Sequence, residues 1–181
     1  MCIRDSDHLA GKGEPANVNI IYANKKNDNS FKIEKVDESQ GWNHQQGTMF
    51  YWNPDSPQDQ FFFNDRDSKS GVVYTVLYDL SKGRRIKSYK FGNKSFGNSG
   101  ICPKGKYFLA INYARMARLR PVTGYKGSYD WSEGIAAPKE DGIAIIDIKT
   151  GVKKILLSFK QMAEGLDRKG FDAKGRNLFI N

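Results

Sequence analysis

Apolar and polar residues follow one another along this chain in short runs, without the long 3.6-residue stripes of amphipathic helices. Residues 31–36 (FKIEKV) and 84–91 (RRIKSYKF) alternate with period two, the pattern of strands with one exposed face. Residues 47–52 (GTMFYW), 60–64 (QFFFN), 71–79 (GVVYTVLYD), 107–112 (YFLAIN) and 142–147 (GIAIID) are nearly continuous apolar runs. They are short, and rich in the β-branched and aromatic side chains that suit a pleated surface, so they read as buried strands. Residues 17–26, 95–102 and 152–159 complete the set, the second of them poor and Gly-rich. Turns fall at 27–30, 53–57, 81–83, 103–106 and 149–151, where Asn, Asp, Gly and Pro supply left-handed backbone or forbid a central strand. Residues 161–168 read as one or two helical turns, and 171–176 as a turn leading into a last strand at 177–180.

Two of these turns are the same hairpin. Asp79-Leu80-Ser81-Lys82-Gly83 and Asp147-Ile148-Lys149-Thr150-Gly151 share a D-Φ-x-x-G pattern, with Gly where φ is positive. Asn53-Pro54-Asp55, Cys102-Pro103-Lys104-Gly105-Lys106 and Asp172-Ala173-Lys174-Gly175-Arg176 mark a second recurring turn. With residues 113–141 set apart as an inserted loop, the spacing approaches the roughly 40–50 residues of a four-stranded propeller blade. The expected fold is therefore all-β: a partial β-propeller of two full four-stranded antiparallel blades with half a blade at each end. Its parts would be a partial blade at 7–40, a blade at 41–93, a blade at 94–159 carrying the insert, and the start of another at 160–181. An antiparallel sandwich or meander is the competing architecture. Residues 1–6 look like translated sequencing-adapter read-through, as at the ends of metagenomic reads, and are set aside together with Cys2.

Composition narrows the picture modestly. Eleven Phe, nine Tyr and three Trp in 181 residues favour strands. The formal charge of +9 would suit an acidic partner, but no basic helix or Lys/Arg run of the nucleic-acid type occurs, and many lysines sit in turns. Two cysteines, Cys2 and Cys102, exclude a disulfide framework and a multi-Cys zinc site. No apolar run approaches the roughly 20 residues of a membrane span.

Gln45-Gln46-Gly47-Thr48-Met49-Phe50-Tyr51-Trp52, Asn64-Asp65-Arg66 and the Arg-rich segment Asn112-Tyr113-Ala114-Arg115-Met116-Ala117-Arg118-Leu119-Arg120-Pro121 with Gly124-Tyr125 carry a resemblance. Over residues 40–159 the chain resembles bacterial β-propellers related to the TolB-like and oligogalacturonate-lyase-like families. That resemblance implies a longer protein, since a closed propeller needs at least four blades, and favours a periplasmic or extracellular location. It would also imply a divalent metal held by several His and a Gln. The matching His cluster is absent here, because His44 is the only histidine beyond the N-terminal stretch, so neither metal nor cofactor is expected.

Blade connectivity sorts the loops to two ends. The bland turns at 27–30, 53–57, 81–83, 103–106 and 149–151 share one end, and the loops 37–46, 65–70, 92–94 and 113–141 share the other. The second end collects Trp42, His44, Gln45, Gln46, Asp65, Arg66, Arg115, Arg118, Arg120, Tyr125, Tyr129, Trp131 and Glu133. Arginine forks suit carboxylate, sulfate or phosphate, and flat aromatic rings suit a sugar face. Together they predict a module that binds an anionic carbohydrate or related polymer. The alternatives are a lyase or hydrolase with part of its site in other blades, and a protein-interaction platform meeting an acidic surface. Internal pairing of these arginines with Asp65, Asp130, Glu133 or Asp141 is the plain structural counter-reading. Gly-rich phosphate loops, G-x-S-x-G, H-E-x-x-H and the sialidase S-x-D-x-G-x-T-W box are all missing.

Overall fold

In the computed structural model residues 2–5, 14–23 and 30–180 are described. The turn expected at 27–30 and the end of the strand expected at 17–26 fall largely outside them. Three antiparallel sheets account for the strands. The first holds β1 (Cys2–Asp5), β2 (Ala16–Ala23) and β3 (Phe31–Ser39) in that order. The second is the meander β4 (Tyr51–Trp52), β5 (Gln60–Arg66), β6 (Val73–Asp79) and β7 (Arg84–Tyr89). The third repeats it with β8 (Gly97–Ile101), β9 (Tyr107–Ile111), β10 (Gly142–Asp147) and β11 (Lys153–Ser158). The chain is thus mostly β, as the alternation predicts.

The stack follows from period two. In β5, Phe61 and Phe63 point to one face and Phe62 to the other, and all three are fully buried. Phe61 and Phe63, with Tyr74, Val76 and Tyr78 of β6, meet Val18 and Ile20 of the first sheet. Phe62, Leu77 and Tyr89 leave by the opposite face and meet Phe96, Phe108, Ala110, Ala144 and Ile146 in and beside the third sheet. A run that is apolar on both faces is what a strand between two other sheets requires. The rings interlock as well, with Phe61 stacked between Phe50 at 4.5 Å and Tyr78 at 5.1 Å.

Four elements differ from expectation. The buried strand expected at 47–52 shortens to the half-buried Tyr51–Trp52, because the turn closed between Asn43 and Gly47 and the positive φ of Gly47 and Met49 keep 47–49 out of extended pairing. Residues 1–6 were set aside, yet the backbone of β1 pairs with β2 from Cys2↔Ile20 to Asp5↔Asn17. Edge pairing uses main-chain groups alone, so an extended segment can join an edge without a patterned sequence. Residues 113–141 contain a helix, α1 (Tyr113–Leu119), because Asn112 caps its first turn and Ala, Arg, Met and Leu favour it. Residues 177–180 form no strand. Instead Ile180 packs against the cluster of Val73, Ile111, Tyr113, Met116 and Tyr125, where its apolar side chain gains more than an unpaired edge would offer. The expected helical turns begin slightly earlier, as α2 (Phe159–Arg168), behind a capping box in which Ser158 and Gln161 satisfy each other's backbone. No helix among the described residues is long and apolar enough to cross a membrane.

One charge lies inside the junction between the second and third sheets. Lys153 holds its ammonium 3.8 Å from the Phe96 ring centroid and 5.1 Å from that of Phe91. Burial pushes its pKa down to about 8, with repulsion from Lys94 acting the same way and Asp141 and Glu140 opposing. An unfolded lysine titrates near 10.4, so between about pH 8 and 10 the unfolded chain binds more protons and stability rises with pH. Lys153→Met should remove that rise and raise the melting temperature at neutral pH. Thermal unfolding of both proteins at neutral and alkaline pH checks it; an unchanged slope in the variant would show that the lysine is not desolvated.

Candidate functional site

The inserted segment is built on Asn112. Its Oδ1 accepts from the backbone N–H of Ala114 at 3.1 Å and of Arg115 at 3.0 Å, which starts α1. Its Nδ2 donates to Asp130 at 3.1 Å and to Asp141 at 2.8 Å, so one side chain ties the beginning, middle and end of the insert together. Asp130 is buried and also accepts from Ser132 Oγ at 2.6 Å and Arg118 Nε at 2.8 Å. Burial works against its charge, but the Ser132 and Arg118 donors outweigh it and hold its pKa below the usual carboxylate range. Asp141 shows the opposite balance, with burial dominating and its pKa raised.

A buried polar cluster bolts the insert to the sheets. Asn64 on β5 and Asn98 on β8 are fully buried. Asn64 Oδ1 accepts from Thr75 Oγ1 at 3.1 Å and from the Asn98 backbone N–H at 2.7 Å, while its Nδ2 donates to Tyr125 Oη at 3.0 Å. Tyr113 Oη donates to the Asn98 carbonyl at 3.2 Å, and the two tyrosine rings stack at 4.3 Å with an interplanar angle of 2°. Burial pushes both phenols well above their ordinary range. Gly124 makes the fit possible, since a Cβ there would lie 2.0 Å from the Ala117 nitrogen.

Several loops meet at one end of the strands. Tyr129 donates its backbone N–H to the Gly71 carbonyl at 2.8 Å, and Ser95 Oγ donates to the Tyr129 carbonyl at 2.9 Å. Arg66 Nη1 reaches the Gly127 carbonyl at 3.3 Å, and Asn43 Nδ2 the Thr123 carbonyl at 2.8 Å. At the opposite end, Ile148 donates to the Lys106 carbonyl and Lys87 donates to the carbonyls of Ile148 and Lys149.

Sharing an end does not make one site, and the residues expected to bind ligand fall into separate places. Arg118 lines a cleft of about 660 Å³ with Lys126, Tyr129, Asp130 and Glu133, over a floor that includes Ala114, Ala117, Pro121 and Val122. Asp65 and Arg66 line a second, polar cleft of about 320 Å³ with Asp37, Glu38 and Arg85. Trp131 lines a third, of about 460 Å³, beside Ile135, Pro138, Lys139 and Lys160. Trp42 is buried and donates Nε1–H to the Glu14 carbonyl at 2.6 Å, with His44 edge-on to its ring at 5.3 Å. His44 and Gln45 are exposed and Gln46 half-buried, on a tight turn closed between Asn43 and Gly47. Arg120 is exposed at the C-cap of α1.

Besides Trp42, two of the expected ligand residues are interior and line none of these clefts. Arg115 is 1% exposed. Its guanidinium donates to the carbonyls of Leu178, Ile135 and Ala136 and to Ser132 Oγ, and lies over the Phe159 ring, so it holds the insert closed and presents no donor to solvent. Tyr125 is fully buried in the stack already described. The arginine pattern did not separate the interior Arg115 from the cleft-lining Arg118. No protein-family model matches this chain, and no curated protein matches it.

Sequence reasoning missed Lys126 and Arg85. Arg85 forks onto Asp37 at 2.7 and 3.0 Å and reaches Asp65 at 2.7 Å. Burial opposes its charge, but those two carboxylates outweigh burial and raise its pKa. It stood in an alternating strand at a position read only as exposed, and nothing local distinguished it from Arg84. Among the described residues no group of three or more His, Cys, Asp or Glu stands together as a metal site.

Proposed function

We propose that the chain is a β-propeller-type scaffold whose insert-bearing end binds an anionic carbohydrate in the Arg118 cleft. The carrying observation is Arg118 itself. Asp130 engages its Nε, whereas Nη2 is buried with no hydrogen-bond acceptor among the described residues. Arg118 lines the cleft with its side chain a quarter exposed, and a ligand carboxylate or sulfate at the cleft wall would meet that exposed part of the fork in the geometry Arg prefers. Lys126 adds a second positive charge, Glu133 can accept sugar hydroxyls, and the half-exposed Tyr129 ring offers a flat apolar surface. Apolar walls with a few placed polar groups are the usual make-up of a small-ligand site. For the propeller, support comes from sheets that stack face to face in chain order, with loops alternating between two ends.

Titration calorimetry with polygalacturonate, a sulfated polysaccharide and a neutral glucan tests this. Binding should be confined to the anionic polymers. Lys126→Ala and Tyr129→Ala should each weaken it about tenfold, near 1.4 kcal/mol, without moving the melting temperature, since both side chains are exposed. Equal binding of the neutral glucan, or variants that bind like the parent, would exclude this site.

A further inference from the structure

Backbone pairing puts one amine where the strand pattern calls for an apolar side chain. Lys153 on β11 stands opposite Ile146, and Ile155, two residues on, stands opposite Ala144. Ile146 and Ala144 are fully buried on the face that meets the second sheet, and Ile155 packs on the same cluster. Side chains two apart on a strand share a face, so Lys153 extends into that junction, whereas Lys154 turns the other way and is exposed. Phe91, Phe96 and Trp131 form a row of rings there, with successive centroids 6.2 and 6.3 Å apart. Lys153 lies over Phe96 and Phe91, and Lys94 lies over Trp131 at 4.9 Å.

The two ammonium groups differ in their partners. Lys94 pairs with Glu140. Lys153 makes no ion pair and no hydrogen bond among the described residues, and its neighbours are ring faces, which attract a cation but give it no hydrogen-bond acceptor of the kind water provides. The charged groups that act on it are Lys94, before β8, which repels it, and Glu140 and Asp141, before β10, which attract it. Its side chain is half-buried, so the amine stays within reach of solvent. We propose that Lys153 is a modification site whose amine takes small acyl groups from activated donors such as acyl phosphates. Desolvation beside a second cation is the arrangement that makes a lysine nucleophilic near neutral pH. The nitrogen lone pair attacks the acyl carbon and the N–C bond forms. The C–O bond to phosphate then breaks, phosphate leaves with that electron pair, and the proton on nitrogen passes to water. The amide product is uncharged, so acylation removes from the junction a charge that has no ion pair there. The inference rests on β11 and the ring row and is independent of the ligand assigned to the Arg118 cleft.

Treatment of the full chain with limiting acetyl phosphate, followed by peptide mass mapping, tests it without any substitution. At neutral pH Lys153 should acylate about tenfold faster than the exposed Lys104 and Lys154. Its rate should level off above about pH 8, whereas a lysine of ordinary value, near 10.4, keeps gaining rate beyond that point. Lys94→Gln removes the repulsion, so the midpoint of the Lys153 profile should move to higher pH and its acylation at neutral pH should slow several-fold; circular dichroism verifies that this variant folds. Label spread evenly over the exposed lysines overturns the inference. So does a Lys153 rate that goes on climbing through about pH 10, which would mean an amine solvated like any other. A profile unmoved by Lys94→Gln would overturn the part assigned to Lys94.

Discussion

Phe62→Ala should destabilise the protein by about 3–5 kcal/mol, measured by denaturant unfolding with an unchanged m-value. Phe62 is fully buried on an inner strand of the middle sheet, and its ring approaches Tyr89 at 6.3 Å and Phe108 at 6.0 Å. Removing it costs the transfer free energy of the ring and leaves a void between two sheets. Neither sheet can close that void without shifting its own hydrogen-bonded register. Leu109, beside Phe108 on β9 but turned away from the junction, supplies an internal control. Leu109 is 38% exposed, so Leu109→Ala should cost well under half as much. Similar losses at both positions would mean that the second and third sheets do not pack through Phe62.

Arg115→Met should cost at least about 3 kcal/mol, although the side chain it replaces was a natural candidate for ligand binding. The hydroxyl of Ser132 would lose a donor in a buried site and the carbonyls of Leu178, Ile135 and Ala136 would lose theirs in part-buried ones, and an orphaned buried group costs about 1–3 kcal/mol. Met keeps the stem's packing over Phe159, so the measured loss isolates the polar part. Hydrogen exchange should show the insert and the segment at 171–180 losing protection before the sheets do, because Arg115 joins those two segments to α1. A variant as stable as the parent, with unchanged exchange in the insert, would free Arg115 for the ligand role its sequence context suggested.

The contrast between Arg115 and Arg118 shows where reading the sequence reaches its limit. They stand three apart on α1, so they occupy neighbouring positions on one helix surface. Arg115 meets the segment at 132–136 and the tail at 178, whereas Arg118 meets Asp130 and the cleft. Those contacts come from residues 12 to 63 positions away, and no local pattern encodes them. Tyr125 and Tyr129 differ in the same way: one stacks on Tyr113 inside the cluster, and the other rests on the Gly71 loop with its ring half-exposed. The helix itself could have been read from Asn112 followed by Tyr-Ala-Arg-Met-Ala-Arg-Leu and closed by Pro121, a capped run of good helix formers.

By itself the sequence determined the strands of the second and third sheets, apart from most of the one expected at 47–52, and their hairpins. Each rests on short-range physics: the two-residue side-chain alternation of a strand, and turn residues that tolerate only certain backbone angles. Only the tertiary structure decided which apolar face meets which sheet, which arginines are interior, and that the candidate residues scatter over three clefts, a tight turn and the interior. Those outcomes depend on burial, and burial is set by partners far away in the chain, as when Asn64 and Asn98, 34 residues apart, close around Tyr125 and Tyr113.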